Sequence, residues 1–159
     1  MPDSSFLKVA AFHNAFNLPV NIKPKLPEIE SDMTEAIEEE FNRTISRLVT
    51  LIDKLKRGNT TDNSRLRRIR IVVEEFTEYL EAEKKNDLIE IADALIDLEY
   101  VIHGTHLEYG LPYFALFYVV HEANMAKLED GKPIKDLGGK IIKPLNWKKP
   151  NIKEVIDNA

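Results

Sequence analysis

The chain has 159 residues, no cysteine and a net charge of −5. Its length fits one domain of ~100–200 residues, which can bury about two-thirds of its unfolded surface without staples. The lack of cysteine excludes disulfides and thiolate metal sites, so any metal must be held by oxygen or imidazole.

The opening MPDSSFLKVAAFHNAFN has no basic segment followed by an unbroken apolar run. No later stretch approaches the ~20 apolar residues of a membrane span. A soluble, cytoplasmic protein with no membrane partner is therefore expected. Leu7, Ala10, Ala11, Ala15 and Phe16 predict a short helix over residues 5–16. Pro19, Pro24 and Pro27 follow too closely for helix, which predicts an extended crossing. Ser31-Asp32, with Glu35 three residues after Asp32, reads as a capping box that opens a long helix. Its stripe is Met33, Ile37, Phe41, Ile45, Leu48, Ile52 and Leu55, and Lys54, Lys56 and Arg57 before Gly58 mark its end.

After the polar NTTDN, a third helix is predicted from about Ser64 to Lys84, with Leu66, Ile69, Val73, Phe76 and Leu80 as its stripe. A break near Asn86 leads to a fourth helix that reaches about Tyr109 and stops at Gly110. Pro112 suits the first position of a fifth helix running to about Leu128. The tail EDGKPIKDLGGKIIKPLNWKKPNI, rich in Gly and Pro, reads as irregular. The expected architecture is all-α: one domain over residues 1–159, a bundle of about five helices with its core at about 31–128 and a lysine-rich tail over 129–159.

The charge is unevenly spread. From Glu74 to Glu99 there are ten acids against two lysines, a local charge of −8. From Lys127 to Lys149 there are seven lysines against three acids. A nucleic-acid partner would call for a basic stripe overall, so none is expected. An acidic focus beside a lysine-rich tail suits metal and phosphate better.

Residues three or four apart share a helix face. Glu74, Glu75 and Glu78 thus form one acidic patch, and Glu90, Asp93 and Asp97 another. The third helix alone fits a plain solvated face, because Glu74, Glu78 and Glu81 lie opposite its aliphatic stripe. The fourth helix is apolar in almost every direction, which predicts burial. Ionised carboxylates are seldom buried unless paired or metal-bound. An arginine between Arg65 and Arg70 could pair with them, but a divalent ion better relieves the repulsion of acids converging from two helices. All-oxygen ligands suit Mg²⁺ or Mn²⁺. Zinc is not expected, since His13, His103, His106 and His121 form no compact ligand set.

Glu74-Glu75-x-x-Glu78 followed by Glu90-x-x-Asp93 resembles the EExxE…ExxD signature of the all-α nucleoside triphosphate pyrophosphohydrolases. That superfamily includes MazG-like enzymes, dimeric dUTPases and phosphoribosyl-ATP pyrophosphohydrolase. DALIDLEYVIHGTHLEYG, HEANMAKLEDGK with the later GKIIKP, and FHNAFNLPV are similar to segments of its MazG-like, dUTPase-active branch.

By position, the resemblance implies Glu75, Glu78, Glu90 and Asp93 as metal ligands and Glu74 as the residue that orients or deprotonates water. It implies Asn124 and Lys127 at the phosphates, with Lys140 and Lys143 closing over them or simply solvated. Asp97 would be an extra ligand, a sugar contact or a support for a ligand. Phe12, Phe16 and Trp147 could stack on a base, or serve as core and tail anchors; Asn17 could read the base edge, and His13 is either a substrate contact or a surface residue. The implied activity is Mg²⁺-dependent hydrolysis of a nucleoside triphosphate, dUTP or another deoxynucleotide, to monophosphate and pyrophosphate by a homodimer. Two alternatives stay open: a pyrophosphohydrolase for modified or phosphoribosylated nucleotides, and a non-catalytic helical module whose acids bind a basic partner or solvate the bundle.

Overall fold

A computed structural model describes residues 4–27, 35–57 and 63–159. The chain divides into two units, Pro24–Glu108 and Met1–Lys23 with Tyr109–Ala159.

The first unit is built from α2 (Glu35–Arg57), α3 (Ser64–Lys85) and α4 (Leu88–Glu108). Side-chain caps set the borders of the last two. Asn63 Oδ1 accepts from the Leu66 amide at 3.1 Å and opens α3. Asn86 closes α3 in the left-handed region (φ 54°), its amide donating to the carbonyls of Ala82 and Glu83. Asparagine tolerates that conformation better than most residues. Asp87 Oδ1 then accepts from the amides of Ile89 and Glu90 at 3.0 and 3.3 Å, starting α4 at once. The predicted break near Asn86 is thus a cap-to-cap hinge.

At the far end of this hairpin, Arg68 Nε donates to Thr105 Oγ1 at 3.2 Å, and the guanidinium also reaches the Val101 carbonyl. A link between the start of α3 and the end of α4 makes the two helices antiparallel. Gly104 leaves room for this guanidinium, since a Cβ there would sit 2.8 Å from Arg68 Nη2 and the arginine would have to shift. Thr77 and Ala82 of α3 and Ile91 and Ala94 of α4 are buried, small residues mostly, and let the helices close on each other. On α2, Ile52 is the buried member of the predicted stripe, whereas Ile37 is exposed. The proposed capping box rests on Asp32, and the stripe begins at Met33; both lie outside the described residues.

The second unit holds α1 (Ser4–Ala15), α5 (Tyr113–Met125), a hairpin of β1 (Leu128–Glu129) and β2 (Lys132–Pro133), and α6 (Ile152–Asp157). α1 packs on α5, and Phe16 and Ala123 are buried. Gly110 at φ 63° separates α4 from α5, in line with its predicted role as a stop. The hairpin turns through Asp130 and Gly131, both at positive φ, as a two-residue turn between right-twisted strands requires.

Three expectations need correction. The fourth helix is not buried all round: Ile89, Ile96, Tyr100 and Leu107 are between 64% and 82% exposed. α4 is covered through Ile91 and Ala94, and these four side chains are left uncovered among the described residues. The fifth helix ends at Met125 rather than near Leu128. The tail is not wholly irregular, since Asp130-Gly131 folds a hairpin and Asn151 caps a short sixth helix by accepting from the Glu154 amide. The all-α class stands. Among the described residues, no helix is long and apolar enough to cross a membrane.

Candidate active site

The antiparallel pairing of α3 and α4 brings Glu75 and Glu78 level with the Asp93–Asp97 turn. The electrostatics of Glu75 report this. Burial, followed by the negative charges of Glu78, Asp97, Glu74 and Asp93, pushes its carboxyl above the ordinary value. Four like charges from two helices therefore act on one half-buried carboxylate. Among the described residues, Glu75, Glu78, Glu90, Asp93 and Asp97 form no ion pair.

Two sequence-predicted members sit differently from the rest. Asp97 belongs to this cluster electrically, ranking just after Glu78 among the charges that act on Glu75. Glu90, one turn before Asp93, is not among those charges. Glu78, Glu90, Asp93 and Asp97 are solvent-exposed, so the buried acidic strip expected on the fourth helix is an open face in the chain. Among the described residues, no three His, Asp or Glu side chains are gathered closely enough to cage a metal as they stand. The donors nevertheless fit Mg²⁺ or Mn²⁺ in kind: all are carboxylates, and they carry uncompensated repulsion that a hard cation would relieve.

Glu74 has the opposite surroundings. Its Oε1 accepts Lys56 Nζ from α2 at 2.8 Å, and its Oε2 accepts Arg70 Nη1 at 2.6 Å. The arginine partner anticipated between Arg65 and Arg70 is thus real, but Arg70 serves Glu74, and no arginine pairs with Glu90, Asp93 or Asp97 among the described residues. Arg67 and Arg68 pair with Glu108. Lys56 was legible only as a charge at a helix end, because its link to Glu74 spans two helices and follows no sequence spacing.

The lysine-rich residues lie in the other unit. Lys127 Nζ donates to Asn124 Oδ1 at 2.7 Å, so the pair is brought together, although Lys127 sits in the turn after α5 rather than on the helix. Lys143 Nζ lies 4.2 Å from the centre of the Trp147 ring. Lys143 is exposed, so this cation–π contact is compatible with the solvated state as well as with closing over a phosphate. Lys140 is exposed, with its amide donating to Asp136 Oδ1 at 2.9 Å. Trp147 Nε1 donates to the Ala123 carbonyl at 2.6 Å and lines an open cleft of about 620 Å³ with Tyr118, Glu122, Lys148 and Pro150.

Phe16 is fully buried and stacks on Phe12 with ring centroids 4.1 Å apart. Its ring is a packing element, and the expectation that it stacks on a base is withdrawn for this arrangement. Asn17, exposed and at φ 53°, ends α1, and its side chain faces solvent. His13 Nδ1 lies 3.0 Å from the Pro19 carbonyl, which ties the helix end to the crossing segment.

The acids whose spacing resembles the all-α nucleotide pyrophosphohydrolases lie on this antiparallel helical hairpin. Residues 50–124 match the family model described as phosphoribosyl-ATP pyrophosphohydrolase, a stretch that includes Glu74, Glu75, Glu78, Glu90, Asp93 and Asp97 and ends at Asn124. That stretch is similar to phosphoribosyl-ATP pyrophosphohydrolase, and the similarity supports a nucleotide pyrophosphohydrolase in general. The fold is shared with a crystal structure from Exiguobacterium sp. 255-15 provisionally described as an NTP pyrophosphohydrolase. The likeness has a TM-score of 0.59 at 24% identity and covers 98% of this chain and 95% of that one. No match was found among curated proteins.

Proposed function

We propose that the protein hydrolyses a nucleoside triphosphate, dUTP or another deoxynucleotide, to the monophosphate and pyrophosphate with Mg²⁺ or Mn²⁺. The observation that carries this reading is the α3–α4 face, where Glu75 meets the charges of Glu78, Asp97, Glu74 and Asp93, of which Glu74 alone has a cation partner among the described residues. Glu75, Glu78, Glu90 and Asp93 would hold the metal, with Asp97 beside them. Bound there, Mg²⁺ supplies neutralisation of phosphate charge and acidifies water. The chain's own part is to position and to exclude competing contacts. Glu74, fixed from both oxygens by Lys56 and Arg70, is the candidate for orienting the attacking water. Asn124 and Lys127 offer a neutral and a cationic contact for phosphate oxygens. Lys140 and Lys143 are further candidates for the same contact.

The family match gives specific weight to a second substrate, a phosphoribosylated nucleotide. One experiment covers both. A panel of deoxynucleoside and ribonucleoside triphosphates plus phosphoribosyl-ATP is incubated with Mg²⁺ and followed by phosphorus NMR. Pyrophosphate and monophosphate as the primary products support the reading. Orthophosphate and diphosphate would mean a γ-phosphatase, and no turnover with any member would favour the helical interaction module.

A homodimer is part of this proposal. Ile89, Ile96, Tyr100 and Leu107 lie on one exposed stripe of α4 at steps of seven, four and seven. Full burial of such a side chain stabilises by ~1.5–3 kcal/mol, and a second copy would supply the cover that this chain lacks. Sedimentation checks it: Ile96→Glu is expected to convert dimers to monomers, and a wild-type monomer at high micromolar concentration would end the idea.

A further inference from the structure

The cation pair on Glu74 is asymmetric, and the asymmetry has a use. Arg70 is on the same helix as Glu74, one turn earlier, with a side chain 26% exposed; Lys56 comes from α2 and is 54% exposed. Arg70 therefore stays at Glu74 whenever α3 is folded. Lys56 reaches its oxygen through a flexible four-carbon stem, and an exposed ion pair of this kind has little free energy holding it closed. Its helix neighbours do not share the position: Arg57 approaches Asp53 on its own helix, at 4.0 Å.

Lys56 is linked to the acidic face through Glu74. Glu74, which it touches, is one of the charges that act on Glu75. A polyphosphate brought to that face presents several strong acceptor oxygens near the lysine. A compact ammonium on a flexible stem exchanges acceptors readily, and a polyphosphate carries more negative charge than a carboxylate already shared with an arginine.

We propose that Lys56 is a polyphosphate-binding residue that leaves Glu74 Oε1 for a phosphate oxygen when nucleotide binds. The exchange leaves Glu74 held through Oε2 by Arg70 alone, with Oε1 open to accept a hydrogen bond from water. Substrate binding and the release of the water-orienting oxygen are then one event. This rests on the pyrophosphohydrolase reading above. The competing account is that Lys56 is a fixed strut between α2 and α3.

The test is calorimetric binding, with Mg²⁺, of the α,β-imido analogue of whichever triphosphate turns over best, alongside the corresponding monophosphate. A charged hydrogen bond lost from a phosphate corresponds to about 10-fold or more in affinity. Lys56→Ala is expected to weaken the triphosphate analogue by about that factor and to leave the monophosphate unchanged, while Lys56→Arg retains most of the affinity. The loss should persist in a Glu74→Gln background, because the phosphate contact does not run through Glu74. Lys54→Ala, two residues away on α2 and exposed, should bind like wild type, and melting curves for each variant separate weak binding from poor folding. Equal binding of the analogue by Lys56→Ala and wild type overturns the proposal. So does a loss that vanishes in the Glu74→Gln background, which would leave Lys56 a strut. Failure of the wild type to bind any triphosphate with Mg²⁺ overturns the pyrophosphohydrolase reading itself, a result distinct from either.

Discussion

Glu74 and Glu75 are adjacent in the chain and live in opposite electrostatic worlds. Glu74 has a cation on each oxygen, whereas Glu75 has four carboxylates acting on it and no cation among the described residues. A helix turns ~100° per residue, so neighbours face different partners. Here one face looks toward α2 and the other toward the acids of α4. The balanced carboxylate contributes to the fold as it stands. The unbalanced one costs stability until something positive arrives, and such local costs collect at functional sites.

The largest expected effect comes from neutralising each in turn. Glu75→Gln should lower kcat by ~10²–10³-fold, the range for losing one electrostatic element of a site. Glu74→Gln should lower kcat by ~10²-fold or more while metal affinity hardly changes, as for loss of a positioned base. Stability separates them by sign. Glu75→Gln should raise the melting temperature of the metal-free protein, because a repelled charge is removed. Glu74→Gln should lower it, by no more than about 1 kcal/mol since both partners are partly exposed. If the two variants shift the metal-free melting temperature in the same direction, the contrast between the carboxylates is wrong. Loss of metal by Glu74→Gln in titration calorimetry would make Glu74 a ligand instead.

Metal should act on the unbalanced face alone. A ligand that binds only the folded state stabilises by ~2.7 kcal/mol at a hundredfold excess over Kd. Saturating Mg²⁺ or Mn²⁺ is thus expected to raise the melting temperature by several degrees. Glu78→Gln should blunt that response and Lys56→Met should not. An unchanged melting temperature in wild type and Glu78→Gln alike removes the metal from the proposal.

Much of this was legible in the sequence because it is local. Helix borders followed from Asn63, Asn86 and Gly110, whose chemistry acts within a turn or two of themselves. The acid pairs were legible for the same reason, since a three-residue spacing fixes a face. What the sequence could not show was which faces meet. The fourth helix reads as apolar all round, yet only Ile91 and Ala94 are buried, because periodicity cannot tell cover by this chain from cover by another. Phe16 illustrates the reverse ambiguity: the sequence left it open between a base platform and a core anchor, and at 0% exposure it is a core anchor. Lys56 was missed because a long-range ion pair leaves no spacing behind. Asp97, listed among several roles, is singled out only by its standing among the charges on Glu75.

The smallest expected effect is a pH dependence of the metal-free protein, and its sign tests the same contrast. Burial and its like-charged neighbours raise the Glu75 pKa in the folded state above the ordinary 4.5. The folded protein therefore holds that proton more tightly than the unfolded chain does. Above the raised value both states have released it, and the folded state carries the full repulsion. As pH falls through the raised value toward 4.5, the folded state takes up the proton first and stability increases; below 4.5 both states are protonated and the gain is complete. Other carboxylates titrate nearby, so the informative quantity is the difference between wild type and Glu75→Gln in urea unfolding across that window. Wild type should gain on the variant as pH falls. With saturating Mg²⁺ the slope should reverse, because a cation favours the ionised carboxylate and protons compete with it. Parallel pH profiles for the two proteins without metal would show that Glu75 is no more strained than its neighbour, and the distinction between the two faces of α3 would go with it.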